Sequence, residues 1–449
     1  MSGRLQLVGT AALIIAAGAA GAATVAGDPG RQVLGSTDGW AAFSTGTSGG
    51  SQAPPEQVYT VHNRAEFIAA LNNGVASSTS PSNPSNLPKI LYVDGTLDFN
   101  VDDANQPLAC EDYYRNGYTL EAFLATYDPA VWGRGAPAGA LETARVASQA
   151  AQQARVRIRP GSNTTIVGVG RTATLRGIWL DIRGTANVAG SRTNIIVRNL
   201  NFEDSFDCFP QWSPTDGALG SWNSLYDAIS LRDSDHVWID HNVLRDRATA
   251  DAGLPDYFGV LYQVHDGLLD ITNASDFVTV SWNRFLDHDK VSLVGSSDSA
   301  TADRGKLRVT FHHNLYEAVG QRAPRVRFGQ VHIYNNYYNI GSGANYQYSW
   351  GVGAESQIFA EQNYFRALDG ITADRFLSRL NGTAVHAAYT YVDFGTARRL
   401  PDVVLEWNAV NDPDLAPTVG WAPSLFGPQL SARLVAPYVA SGAGTFDWH

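Results

Sequence analysis

From residue 163 onward, short β-branched runs recur in which apolar and polar positions alternate, the period of a half-buried strand. The runs cover 195–202, 237–244, 278–285, 309–316, 331–338 and 358–365. The last five share one template: apolar, any, apolar, any, any, Asn, any, apolar. Their asparagines are Asn242, Asn283, Asn314, Asn336 and Asn363, spaced 41, 31, 22 and 27 residues apart. A fixed strand and a fixed polar residue at irregular spacing predict a solenoid, with insertions looping out on one face. Asparagine suits the left-handed backbone of a tight bend, and stacked amides can bond to one another between turns. The pattern therefore predicts an all-β fold, a right-handed single-stranded parallel β-helix. A sandwich or propeller would need frequent Asn-Gly or Asp-Gly hairpin turns, which are scarce here.

The segments flanking the repeat read differently. Residues 58–61 predict a strand, and Asn63 followed by Glu66 predicts a helix N-terminus of the capping-box type. Phe67, Ile68 and Leu71 give that helix one apolar face with which to cap the open end of the β-helix. Residues 90–93 read as a strand, 98–140 as irregular and aromatic, and 138–154, rich in Ala and Gln, as helical. After about residue 370 the template fades, which predicts irregular packing along the outside. Residues 27–55, rich in Gly, Ser, Thr and Pro, read as a linker or an ordered surface arm.

The first 26 residues read as a secretory signal: Arg4, then an uncharged, small and apolar stretch to Ala26. A membrane anchor is the alternative, but the stretch is rich in Ala and Gly and lacks a basic stop. The expected organisation is a signal over 1–26 and one domain over 27–449, with secretion as the destination and no later segment able to span a bilayer. An oxidising compartment would permit a Cys110–Cys208 disulfide. Two free thiols are equally compatible with the sequence.

Charge changes the picture in two steps. The 449 residues carry 32 basic and 43 acidic side chains, a net −11, and only 17% are charged. That disfavours nucleic acid as a partner, and at first sight any polyanion. Yet between Arg284 and Arg327 there are eight basic and five acidic residues, a local +3. Only Lys89, Lys290 and Lys306 are lysine, so a lysine in this arginine-biased chain is informative.

Three aspartates lie at the openings of two successive coils: Asp227, then Asp266 and Asp270 around Gly267. Any one alone reads as a turn residue. Stacked coils would bring all three together, where they repel unless a cation neutralises them. An all-oxygen set suits Ca²⁺ and lacks the Cys and His of a zinc site. Beyond them come Lys290 and the cluster Arg322, Arg325 and Arg327, of which the last two share a face by strand period. A solvated basic edge is the bland reading. With the carboxylates, the set suits a ligand rich in carboxylates.

At this point the motifs carry a resemblance. The run 237–241 (VWIDH), the run from Ser281 through His288-Asp289-Lys290, and 322–329 (RAPRVRFG) resemble the bacterial pectate lyases of polysaccharide lyase family 1, the secreted Bacillus type above all. The resemblance runs from about residue 27 to the C-terminus, which implies a packed N-terminal arm. It implies Asp227, Asp266 and Asp270 as calcium ligands, Lys290 and Arg327 as substrate-binding residues, Arg322 as the catalytic base, and a supporting role for Arg325. The implied reaction is β-elimination on polygalacturonate, with Ca²⁺ as cofactor; no feature of the sequence demands an oligomer, so a monomer is expected. An arginine base, ordinarily protonated to above pH 12, implies an alkaline optimum. The rivals are a pectin lyase, against which the three aspartates speak, and a non-catalytic β-helix binder. A polygalacturonase would carry Gly-His-Gly and Arg-Ile-Lys signatures, which are absent.

Overall fold

The computed structural model describes residues 27–81, 84–341 and 345–448. The expected signal at 1–26 lies outside the described residues.

Three parallel sheets form the body. The first begins with Val58–Val61 and Lys89–Val93 and runs through Asp235–Asp240, Asp276–Ser281 and Val309–His312 to Val385–Ala388. The second contains Val243–Arg245, Arg284–Lys290, Leu315–Gln321, Tyr337–Ile340 and Tyr364–Ala367. The third contains Trp179–Arg183, Ile229–Arg232, Leu269–Thr272, Leu293–Val294, Arg325–Val326, Trp350–Gly353 and Leu377–Leu380. The chain visits the first, second and third sheets in turn and then starts the next coil, which is the parallel β-helix the repeat predicts.

Register explains why the template is apolar where it is. Val237, Val278, Val309, Val331, Ile358 and Val385 pair in succession along the first sheet, and each is fully buried. In the second sheet Phe285, Tyr316, Tyr338 and Phe365 stack with ring centroids 5.1, 4.8 and 4.3 Å apart. Aligned parallel strands thus give continuous columns of identical chemistry inside the coil.

The asparagines form a buried ladder at the bend from the first to the second sheet. The Asn283 side-chain amide donates to Asn314 Oδ1 at 3.1 Å and to the Ile239 carbonyl at 2.9 Å. The same bonding joins Asn242 to Asn283, Asn314 to Asn336 and Asn336 to Asn363. The left-handed residue is not the ladder asparagine, as the sequence leads one to expect, but the one before it: His241, Trp282, His313, Asn335 and Gln362 have φ of 52–56°. The bend therefore takes two residues, one for the turn and one for the bond.

Both ends are closed by helices. Arg64–Leu71 starts at Asn63, whose side chain accepts from the Glu66 amide at 2.9 Å, while Glu66 reaches back to the His62 amide at 2.8 Å. Its Phe67, Ile68 and Leu71 are fully buried against the first coil. At the far end the chain is more regular than its sequence suggests. Leu377–Leu380, Val385–Ala388 and Tyr391–Asp393 complete another coil, in which Thr390 holds the ladder position after the left-handed Tyr389. Helix Val403–Asn408 then seals the core with Val403, Val404 and Trp407. Among the described residues no helix is long and apolar enough to cross a membrane.

The N-terminal segment is a packed arm. Its amides bond outward-facing threonines of the first sheet: Trp40 to Thr310, Ala41 to Thr279 and Gly50 to Thr165, at 2.8–3.1 Å. Gly50 has no alternative, since a Cβ there would lie 1.9 Å from the Lys89 carbonyl oxygen.

A lobe stands on the bends between the second and third sheets. Its segment 98–140 holds helix Leu120–Tyr127, against the irregular expectation, because Phe123 and Tyr127 find an aromatic cluster with Phe209, Trp212 and Trp222. Helix Ala140–Val156 packs beside it, and the Cys110–Cys208 disulfide ties it together.

The ladder yields a prediction. Asn314→Ala removes the acceptor of the Asn283 backbone amide and of one Asn283 side-chain N–H, and a donor to the Val280 carbonyl. It should lower stability by about 2–4 kcal/mol in denaturant unfolding. Asn339→Ala, which removes only a bond to Glu317, should stay within about 0.5 kcal/mol.

Candidate active site

The bend from the second to the third sheet stacks four coils on one another. Ala228 N donates to Gly267 O, Leu268 N to Val291 O, Val291 N to Gln321 O, and Ser292 N to Arg322 O, at 2.7–3.1 Å. Each bond joins one coil to the next at strand spacing. Asp227, the Asp266–Asp270 segment, Lys290 and Arg322 therefore stand in sequence along one edge, as the coil spacing predicts.

The aspartates differ in how they are held. Asp227 is 2% exposed and accepts from Gly267 N at 3.0 Å and from the Ser230 hydroxyl. Asp270 is 8% exposed and accepts from Leu293 N at 2.9 Å. Asp266 is more open, its side chain 33% exposed, and its carboxylate takes the Lys290 ammonium at 3.0 Å. Gly267 makes the crowding possible: a Cβ there would sit 2.4 Å from Asp270 Oδ1 and 3.1 Å from Asp227 Oδ1.

That crowding has an electrostatic signature. Burial, then the charges of Asp270 and Asp266, hold the Asp227 carboxyl well above the usual carboxylate range. Burial and Asp266 push Asp270 up to about 7, although Arg322, Lys290 and the Leu293 amide act against them. Carboxylates this ill at ease as anions are the donor set that a hard divalent cation relieves. The residues fit Ca²⁺ in donor chemistry and in the room left by Gly267. The tightest acid and histidine group among the described residues is a different one, Asp246, Asp251 and His265, with ligand atoms within 4.8 Å of one another.

The arginines follow on the next coil. Arg322 takes a left-handed backbone, φ 61°, and its buried Nε has no partner among the described residues. Arg325 is likewise unpartnered at Nε, and burial, Arg327 and Arg322 lower its pKa. Arg327 is bound by Asp298 at 2.5 Å and by the Gly295 carbonyl at 2.9 Å. Asp298 is fixed in turn by Asn381 at 2.6 Å. Arg325 and Arg327 share the outer face, as their spacing predicts. They lie over Gly351 and Gly353, where a Cβ would come within 2.9 Å of each side chain.

The sequence reading missed several of these partners. Gly351 and Gly353 were legible as alternate glycines in a strand, a mark of close approach. Tyr348, buried beside Arg322 and Arg325 with its hydroxyl 3.4 Å from Gln321 Oε1, carries no such mark. Nor do Asp298, Asp246 and His288.

The family profile described as "Pectate lyase" matches residues 125–403. A pectate lyase of Bacillus subtilis (strain 168) is 43% identical over 423 residues, 93% of this chain and 94% of that protein. A thermostable pectate lyase superposes with a TM-score of 0.90 at 45% identity, covering 94% of this chain and 100% of the other. A pectate lyase bound to a hexasaccharide gives 0.86 at 41% identity, covering 94% of this chain and 100% of the other. This chain belongs to the pectate lyase family.

Proposed function

We propose that the protein is a secreted, calcium-dependent pectate lyase that cleaves de-esterified polygalacturonate by β-elimination. The observation that carries this reading is the pairing of two buried carboxyls forced towards protonation with a row of basic side chains one and two coils away. The hexasaccharide held by a relative supports an oligosaccharide-sized cleft. The Cys110–Cys208 disulfide supports export to an oxidising compartment, with 1–26 as its signal and 27–449 as one monomeric domain.

Asp227, Asp266 and Asp270 would hold the Ca²⁺. When bound, the ion supplies Lewis acidity to a galacturonate carboxylate. Lys290 and Arg327 would bind and orient that carboxylate by charge-assisted hydrogen bonds. Arg322, held by a strained bend at the edge of the site, would take the proton from carbon 5. The released electron pair forms the double bond between carbons 4 and 5, and the glycosidic oxygen on carbon 4 departs with its bonding pair. Among the described residues Arg322 Nε has no hydrogen-bond partner, which supports this role because the guanidinium is less firmly held in its charged form. A guanidinium must give up its own proton before accepting another, so activity should climb towards alkaline pH.

Incubation with polygalacturonate, followed by ultraviolet absorbance of the conjugated product, tests the reading. Absorbance should grow with calcium and stop with chelator. New reducing ends without absorbance would mean a hydrolase, and binding without either would mean a non-catalytic binder. Activity confined to methylated pectin, without calcium, would mean a pectin lyase. Arg322→Ala should reduce kcat by about 10³-fold or more while leaving calcium binding intact.

The proton affinity of the aspartates sets a second expectation. Asp270, faced by Asp227, Asp266, Lys290 and Arg322, keeps its proton up to about pH 7 in the calcium-free fold. Calcium needs it ionised, so protons and calcium compete below that pH. Calorimetric calcium affinity should therefore fall as pH drops from about 7 to 5, by about tenfold per unit for each proton released. Affinity flat across that range would count against these ligands.

A further inference from the structure

Behind the aspartate segment lies a buried pair of histidines that the proposed chemistry does not use. His288 Nδ1 meets Asp246 Oδ2 at 2.5 Å, and its Nε2 meets the backbone carbonyl of Asp266 at 2.9 Å. His265 Nδ1 meets the Ser205 carbonyl at 2.9 Å and Asp246 Oδ1 at 3.3 Å, and its Nε2 meets the Thr249 carbonyl at 2.7 Å. Each of the four ring nitrogens thus already has an oxygen partner within the protein. Neither imidazole has a ring nitrogen free for a metal. The tight grouping of Asp246, Asp251 and His265 is thus part of a buried hydrogen-bond cluster.

Its geometry converges on one peptide. The His265 side chain anchors the residue before Asp266, His288 grips the Asp266 carbonyl, and the next amide, Gly267 N, is bound by Asp227. Asp227 and Asp270 each receive a backbone amide, but among the described residues the Asp266 carboxylate is held by Lys290 alone. His288 and Lys290 are alternate residues of strand Arg284–Lys290, so one strand grips Asp266 at two points. Lys290, assigned above to a substrate carboxylate, would share its donors between that ligand and Asp266. His288 is the grip that is not shared.

We infer that His288 is a positioning residue: through its bond to the Asp266 carbonyl it sets the direction of the Asp266 carboxylate, and so the affinity of the aspartate site for a divalent cation. This rests on the calcium reading of Asp227, Asp266 and Asp270 given above.

Two substitutions separate the two nitrogens. Gln places its amide where Nε2 stood and keeps a donor for Asp266 O. Asn places its amide where Nδ1 stood and keeps only the Asp246 contact. Calcium titration of the substrate-free proteins by calorimetry should show His288→Asn weakened by about tenfold or more and His288→Gln within about threefold of the parent. Thermal midpoints should run the other way, with Gln the less stable because it abandons buried Asp246. At saturating calcium, kcat should be close to parental in both.

An Asn variant that binds calcium like the parent overturns the inference, as does an affinity order that follows stability. If the Asn variant does not fold, the Gln variant decides: near-parental affinity upholds the inference, and a loss of about tenfold overturns it. A parent that binds no calcium would overturn the reading of the aspartates, and the inference with it.

Discussion

The amides of the asparagine ladder are shut away from water, so they must satisfy one another. Each of the five is fully buried, and an unbonded amide there would cost more than most single contacts in the protein provide. This need sets the phase of the stack. Every coil must turn at the same place and present the same carbonyl to the coil before it. Once the bend between the first and second sheets is fixed, the strands after it start in register, and so do the bends that end them. Asp227, Gly267, Lys290 and Arg322 come from segments dispersed over the sequence, yet they meet because their coils share one origin.

On that scaffold the site is built from conflict and relief. Asp227 and Asp270 are crowded by burial and by each other, with Gly267 removing the one side chain that could keep them apart. Lys290 meets Asp266, while Arg327 is neutralised by Asp298 and steadied through Asn381. The cleft therefore presents positive charge that is partly spoken for. A polyanion arriving there competes for partners already in place. This resolves the puzzle of a net −11 chain with an acidic polymer as its proposed ligand: the whole-chain sum says little about a cleft where the balance is reversed.

Much of this was legible in the sequence wherever the physics repeats. The ladder, the inward valines and the end-capping helix at Asn63 follow from spacing alone. The last coil was missed because Thr390 stands where an asparagine was sought, although Val385, Ala387 and Val392 keep the apolar positions. Helix Leu120–Tyr127 was missed because its burial depends on Phe209 and Trp222, far along the chain. The aspartates and arginines stand on successive coils, so the repeat itself sets them along one edge. His288 and His265 could not be placed, since their acceptors come from residues 205, 246, 249 and 266 on three different segments.

The distance between rungs of the ladder varies from 22 to 41 residues, yet the rungs bond identically. The excess is extruded into loops and the lobe, and never enters the stack. Doubling a loop adds only about 0.6 kcal/mol of closure entropy, so length outside the column is nearly free of consequence inside it. Heredity and engineering can thus act on the two parts separately. The walls of the cleft can be rewritten one coil at a time while the column behind them keeps its phase.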